Sequence, residues 1–247
     1  MRSYTQLLAT NLHLFLREPV TAFFILGFPV MLVLIFGGIY GNAPTPFFGG
    51  RGTMDVSMPG YTALILGMVG FMTVAINTSS YREAGTLRRF RATPLRPLTY
   101  IAADVTANLI MTLLGVAGFL LVGWLLYRVR FEGNAVGVFL AIIFSALAMF
   151  AVGYVIASLA PGARAAQVVS MVIFYPMMFL SGAALPLEIL PATLRRVSDF
   201  LPLTYAVRLL RGLWFGDPWR DHLLEAAVLG GILILCTALA ARLFRWE

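Results

Sequence analysis

The chain has 247 residues, 60% of them hydrophobic and 12% charged, with a mean hydropathy of +0.87. That excludes an ordinary soluble domain, in which about a quarter of the residues are charged. The net charge of +7 does not point to nucleic acid, because every basic residue is an arginine and the arginines cluster at the ends of apolar runs, where membrane topology accounts for them. A span takes about 20 residues, so six spans with modest loops fill the chain and leave no space for a soluble catalytic domain.

Residues 3–18 put Tyr4, Leu7, Leu8, Leu12 and Phe15 on one helical face and Gln6, Thr10, His13 and Arg17 on the other. This predicts an amphipathic interfacial helix within residues 1–19, broken at Glu18-Pro19. Span 1 is expected over residues 20–40, kinked at Pro29. It has full span length and no small-residue cleavage site, so it reads as a retained span and not a signal peptide. Residues 41–57, with Arg51 and Asp55, read as an ordinary loop. Span 2 is expected over residues 58–80, where Gly67 and Gly70 permit close helix approach.

Residues 81–97, YREAGTLRRFRATPLRP, carry five arginines and one glutamate between two apolar runs. The stretch is too charged for a bilayer and predicts a short charged helix ended by Pro94 and Pro97. It serves either to fix topology or to give a soluble partner a surface to push on. Span 3 follows over residues 98–127. Asp104, near its start, reads as a structural residue paired with Arg96 or hydrated, although an ionisable residue inside a span is a functional hypothesis by default. Span 4 covers residues 133–160 and span 5 residues 165–185, separated by a tight turn. Residues 186–222 hold apolar pieces too short and too charged to span, which predicts short re-entrant helices dipping into one leaflet. Span 6 covers residues 223–241, and contains the single cysteine, Cys236, which carries no disulfide information. Arg242, Phe244, Arg245 and Trp246 form a basic, aromatic interfacial end.

Over short loops and tails the arginines divide ten to three in favour of the side that holds both termini; the last loop, with five more, weakens the bias. Both termini are therefore expected in the cytoplasm, with residues 81–97 beside them. No catalytic constellation is found. His13 and His222 lie at opposite ends of the chain, no metal-ligand spacing or paired cysteines occur, and there is no phosphate-binding glycine loop. Spans 1, 2, 4 and 5 are expected to be free of charge, which argues against ion coupling and toward an external motor.

Three motifs give this chain a resemblance. They are Arg82-Glu83-Ala84-Gly85-Thr86-Leu87 leading to Ala92-Thr93-Pro94-Leu95; Phe179-Leu180-Ser181-Gly182 followed by Pro186 and Leu190-Pro191; and Phe200-Leu201-Pro202-Leu203-Thr204-Tyr205 through Arg208, Arg211 and Gly212. With six spans and an amphipathic start, the chain resembles, over its whole length, the membrane subunits of type-2 ABC exporters. The likeness is to the ABC-2 permease branch associated with daunorubicin-type drug efflux and nodulation-factor export.

The resemblance implies an all-α, multi-pass transmembrane domain over residues 1–247 in a bacterial cytoplasmic membrane. It implies a homodimer or heterodimer of such subunits, each docked through the helix between spans 2 and 3 on a separate ATP-binding subunit, two copies in all. ATP and Mg then belong to that partner, and this chain holds no cofactor, metal or catalytic residue. Arg82, Glu83, Gly85, Thr86 and Arg88 are carried over as coupling residues. Glu83 discriminates between the two readings, since a topology anchor needs no acid. The re-entrant helices would cap a path along the dimer interface for an amphipathic drug-like or lipid-like cargo. Phe174, Tyr175 and Phe179, near the middle of span 5, are possible path residues and keep export of a (lipo)polysaccharide or lipo-oligosaccharide open, with an ion-coupled carrier as the other rival.

Overall fold

The computed structural model of the protein describes residues 2–85, 97–185, 187 and 190–243, and these are all-helical, as the composition predicts. The helices are α1 (Arg2–Arg17), α2 (Pro19–Tyr40), α3 (Thr53–Glu83), α4 (Pro97–Tyr127), α5 (Ala135–Leu159), α6 (Ala163–Leu180), α7 (Ala192–Ser198), α8 (Pro202–Trp214) and α9 (Leu223–Leu243). Helices α2 to α6 and α9 are long and apolar enough to cross a membrane. Six crossings return the chain to the side from which it starts, here the terminal side; the opposite side is the far side.

Helix α3 is the axis. Its apolar window is 83% buried, against 50% or less for every other span, and α2, α4, α5, α6 and α8 all pack on it. Glycines make the close approaches possible. A methyl group built on Gly153 of α5 would sit 2.0 Å from the Gly70 carbonyl oxygen of α3, and one on Gly70 would sit 2.6 Å from the Met149 backbone. Gly70 lies in a widened π-turn, Val69–Val74, and such turns re-aim backbone groups inside a helix. The kink expected at Pro29 takes the same form. Proline has no N–H to offer Ile25, four residues back. The turn Phe23–Gly27 widens, and the Ile25 carbonyl oxygen lies 2.1 Å from where a Gly115 Cβ would be.

Several boundaries differ from expectation. Helix α3 starts at Thr53 and ends at Glu83, not 58 and 80. Its first turn is fixed by Asp55, whose carboxylate accepts from the Gly52 N–H at 3.2 Å, so the last part of the supposed ordinary loop is helix. At the other end Tyr81–Glu83 continue the helix past Ser80. Span 2 consequently carries charges at both tips, and span 5 carries Arg164 in its first turn. Span 5 stops at Leu180 instead of 185. Pro97 opens α4 instead of ending a helix, in keeping with proline's fitness for a first helical turn. Of the charged helix expected over residues 81–97, the first three residues belong to α3, and Thr86 to Arg96 lie outside the described residues.

Helix α1 is amphipathic as predicted. It lies along α4, with Phe15 buried and the Tyr4 hydroxyl donating to Thr106 Oγ1 at 2.9 Å. Asp104 finds a partner the sequence did not suggest, since Tyr154 of α5 donates its hydroxyl to Asp104 Oδ2 at 2.5 Å. Arg96, its expected partner, lies outside the described residues.

Candidate functional site

At the terminal side, α3 ends in the residues singled out for coupling. Arg82 is turned inward. Its guanidinium donates to the Ala157 carbonyl at 2.9 Å and to the Ala160 carbonyl, two acceptors that the end of α5 leaves without intrahelical donors. A cation there also meets the negative end of the helix dipole. Glu83 is exposed, and its Oε1 lies 1.9 Å from where a Cβ on Gly162 would be. Gly162 precedes α6, so the carboxylate stands at that helix's positive end. Gly85 closes α3 at φ 68, with its N–H on the Arg82 carbonyl at 3.0 Å, a left-handed cap that glycine adopts without strain. Thr86 and Arg88 lie outside the described residues.

The three aromatic residues of α6 do not act together. Phe174 is buried, packed beneath Gly67 and 6.2 Å from the Phe71 ring. Tyr175 and Phe179 are exposed and, with Val168 and Val172, form one stripe along the helix. Beside that stripe lies a helical hairpin. Helix α7 packs on α6. Helix α8 packs on α3 and starts deep, because Leu203 Cδ1 lies 3.0 Å from where a Gly67 Cβ would be. Gly67 is twelve residues into α3 from Asp55, about 18 Å at 1.5 Å per residue. The other end of α8 is at the far surface, where Trp214 Nε1 donates to the Arg130 carbonyl at 3.2 Å. The expected re-entrant pair is thus present, and one face of α8 is core, with Leu203 and Leu209 fully buried.

This hairpin carries charge below the far surface, with Arg208 six residues, about 9 Å, from the Trp214 end of α8. Arg208 donates to Asp199 Oδ1 at 2.5 Å, the pair only partly shielded. Tyr205 donates to the Asp199 carbonyl at 2.6 Å. Arg195 and Arg196 are exposed on α7, and Phe200, at the turn between the two helices, is 85% exposed. An arginine facing lipid near the bilayer centre costs about 2.5–3.5 kcal/mol even on the mildest scale. The charged face of α7 and α8 is better matched by protein or water than by lipid.

On the far side a second constellation, unseen in the sequence, ties the loops together. Asp55 is 3% exposed. Its Oδ1 accepts from Asn42 Nδ2 and from the Arg130 N–H, both at 2.8 Å, and its Oδ2 from the Gly52 N–H. Asn42 returns the contact, accepting from the Asp55 N–H at 3.1 Å. Arg51 pairs with Glu132 at 2.8 Å and lies over the Phe215 ring. Within this cluster Arg128 holds φ 48 at the end of α4, a left-handed conformation that costs a side-chain-bearing residue about 1–2 kcal/mol. Arg128→Gly is expected to stabilise the protein by up to about 1 kcal/mol, less the entropy that glycine gains on unfolding. A rise of the thermal unfolding midpoint in detergent checks it; a fall means that the guanidinium itself holds the loop.

The arrangement combines a deep charged hairpin, an exposed aromatic stripe and an acidic group at the terminal side. Among the described residues no cluster of three or more histidines, cysteines or acids is placed to hold a metal. Comparison with known proteins agrees in kind. Residues 2–215 match the family described as ABC-2 type transporter. The chain is 26% identical over 223 residues to a daunorubicin resistance ABC transporter permease protein of Streptomyces coeruleorubidus, covering 88% of this chain and 76% of that one. It is 34% identical over 83 residues to nodulation protein J of Rhizobium leguminosarum bv. viciae, 34% of this chain and 32% of that one. It is 24% identical over 188 residues to an ABC transporter G family member of Dictyostelium discoideum, 73% of this chain and 25% of that longer protein. The chain belongs to the ABC-2 type transporter family and is a multi-pass membrane permease.

Proposed function

We propose that this permease works as one transmembrane domain in a pair, each copy docked on a separate ATP-binding subunit that supplies ATP, Mg and hydrolysis. The pair exports an amphipathic drug-like or lipid-like substrate out of a bacterial cytoplasm, with both termini inside. The observation that carries this reading is the face of α6, α7 and α8. Its charged hairpin dips below the far surface and is better matched by protein or water than by lipid. A second subunit set against it would enclose a passage with apolar walls from α6, where Tyr175 and Phe179 meet the cargo and Phe174 supports them from behind. Exposed aromatic residues, with the partial match to nodulation protein J, also favour a second reading in which the cargo is a lipo-oligosaccharide. The ion-coupled carrier is the remaining rival, and an ionophore that collapses the proton gradient is expected to leave export intact.

Coupling is assigned to the terminal end of α3. Arg82 has a structural duty within the chain, whereas Glu83 is exposed at the junction of α3, α5 and α6 and faces where a partner would dock. The test is purification of the tagged chain from its native membrane in mild detergent, with an ATPase assay and thermal unfolding. Arg82→Gln should lower stability by about 2 kcal/mol through the loss of charge-assisted bonds to two carbonyls. Glu83→Arg should lower the unfolding midpoint only a little, through the loss of a favourable charge at the start of α6 worth about 0.3–1 kcal/mol, and lose the ATP-binding subunit and its activity. A parent chain that comes out alone and without ATPase sinks the proposal. A Glu83→Arg protein that retains full ATPase and transport moves coupling away from this residue.

A further inference from the structure

Helix α5 packs closely on α9 and less on α4, and the three enclose an apolar groove of about 300 Å³ near the terminal side. Its walls include Ile101 and Val105 from α4, Phe150 and Tyr154 from α5, and Leu233 and Thr237 from α9. The Tyr154 hydroxyl is already bonded to Asp104, so the tyrosine adds no unmet donor to the lining. The stretch of α9 along it, from Leu233 to Ala241, rises about 12 Å, close to the half-thickness of a hydrocarbon core of about 30 Å. An apolar groove of this kind does not hold water, and left empty its walls lose dispersion contacts. Arg242 follows the groove's last residue and is exposed; it forms no ion pair among the described residues.

We infer that a phospholipid of the surrounding bilayer occupies this groove, with one acyl chain between α4, α5 and α9 and its phosphate on Arg242. The depth matches one leaflet, the lining is apolar where the chain would run, and Arg242, without an ion pair among the described residues, follows the last lining residue, Ala241, in sequence. A guanidinium and a phosphate form strong charge-assisted bonds, and a basic residue in a last helical turn also favours an anion at that level. The site is separate from the charged hairpin and does not depend on the cargo proposed above.

The test uses the full chain reconstituted in phosphatidylcholine vesicles that contain a little phosphatidylglycerol with a photoreactive acyl chain. Labelled residues are mapped by mass spectrometry, with the same label on phosphatidylcholine as comparison. Labelling of Val105, Leu233 and Thr237 is expected to exceed that of the exposed Leu121 and Leu235 by about tenfold, equivalent to 1.4 kcal/mol. Ala151→Leu, which fills the groove, should remove the excess without changing Leu121. Thr237→Phe, from the lipid-exposed side of α9, provides the same test should Ala151→Leu fail to fold. Arg242→Gln should equalise the two lipids. Labelling no stronger in the groove than on Leu121, or unchanged in both filled variants, overturns the site; a phosphatidylglycerol preference that survives Arg242→Gln overturns the headgroup contact.

Discussion

Gly153→Val is expected to leave little or no folded protein. The position faces backbone, since a Cβ there would stand 2.0 Å from the Gly70 carbonyl oxygen and 3.3 Å from Val74 Cβ. A clash with a side chain is relieved by a new rotamer, but a clash with a carbonyl in the middle of the most buried span is relieved only by moving a helix. Separating α3 from α5 would open voids beside Phe71, Met149 and Phe150, none more than 1% exposed. Overpacking in a close-packed interior costs about 1–3 kcal/mol, occasionally more. Here the lost contacts along the crossing add to it, so about 3 kcal/mol or more is expected. The measurement is the monodisperse fraction of a fluorescent fusion on size-exclusion chromatography, with its thermal midpoint. Gly231→Val is the control: nothing lies within 4 Å of its Cβ position, and glycine is a poor helix former, so its profile should match the parent. If Gly153→Val behaves like that control, α3 and α5 do not cross at these glycines.

The sequence carried the number and order of the spans because hydropathy reports transfer into lipid, and six apolar runs satisfy it. It did not carry which run is central. Transfer into lipid and burial against another helix look alike when both surroundings are apolar, so α3 stood out only by Gly67 and Gly70, and nothing marked Gly153 as the partner of Gly70. Helix limits failed where a polar group is satisfied within the protein. Tyr81 to Glu83 read as the start of a separate charged helix but continue α3, held by Arg82 on the end of α5. The re-entrant pair was legible because its pieces are too short and charged to span, while the core burial of α8 was not. Phe174 and Tyr175 show the limit for the site. They are neighbours in sequence, but successive helical residues point about 100° apart, so one lies in the core and the other on the open face. Asp104 and Tyr154 are 50 residues apart, a separation over which a single sequence gives no pairing signal.

Asp55→Ala is expected to lower stability by about 3–5 kcal/mol, because it leaves three donors without their acceptor in a buried site. Those donors come from different parts of the far side. Gly52 immediately precedes α3; Asn42 begins the first loop, just after α2, and also donates to the Tyr127 carbonyl at 3.1 Å; and Arg130 lies between α4 and α5, its carbonyl held in turn by Trp214 of α8. One carboxylate thus fixes the far ends of α2, α3, α4 and, through Trp214, the hairpin. Asp55→Asn keeps the shape and one acceptor oxygen. With that oxygen kept at Oδ1, where two donors converge, the new amide faces the Gly52 N–H, donor against donor, at a cost of about 1–3 kcal/mol. Arg51→Ala breaks only a half-exposed ion pair with Glu132 and a ring contact, and exposed pairs contribute about 0–1 kcal/mol. The thermal midpoints should therefore fall in the order Arg51→Ala, Asp55→Asn, Asp55→Ala, the last by far the most. Limited proteolysis should cut the far-side loops first in the Asp55→Ala protein. An Arg51→Ala loss equal to that of Asp55→Ala would reverse the assignment, leaving the surface ion pair, and not the buried carboxylate, as what holds the far side closed.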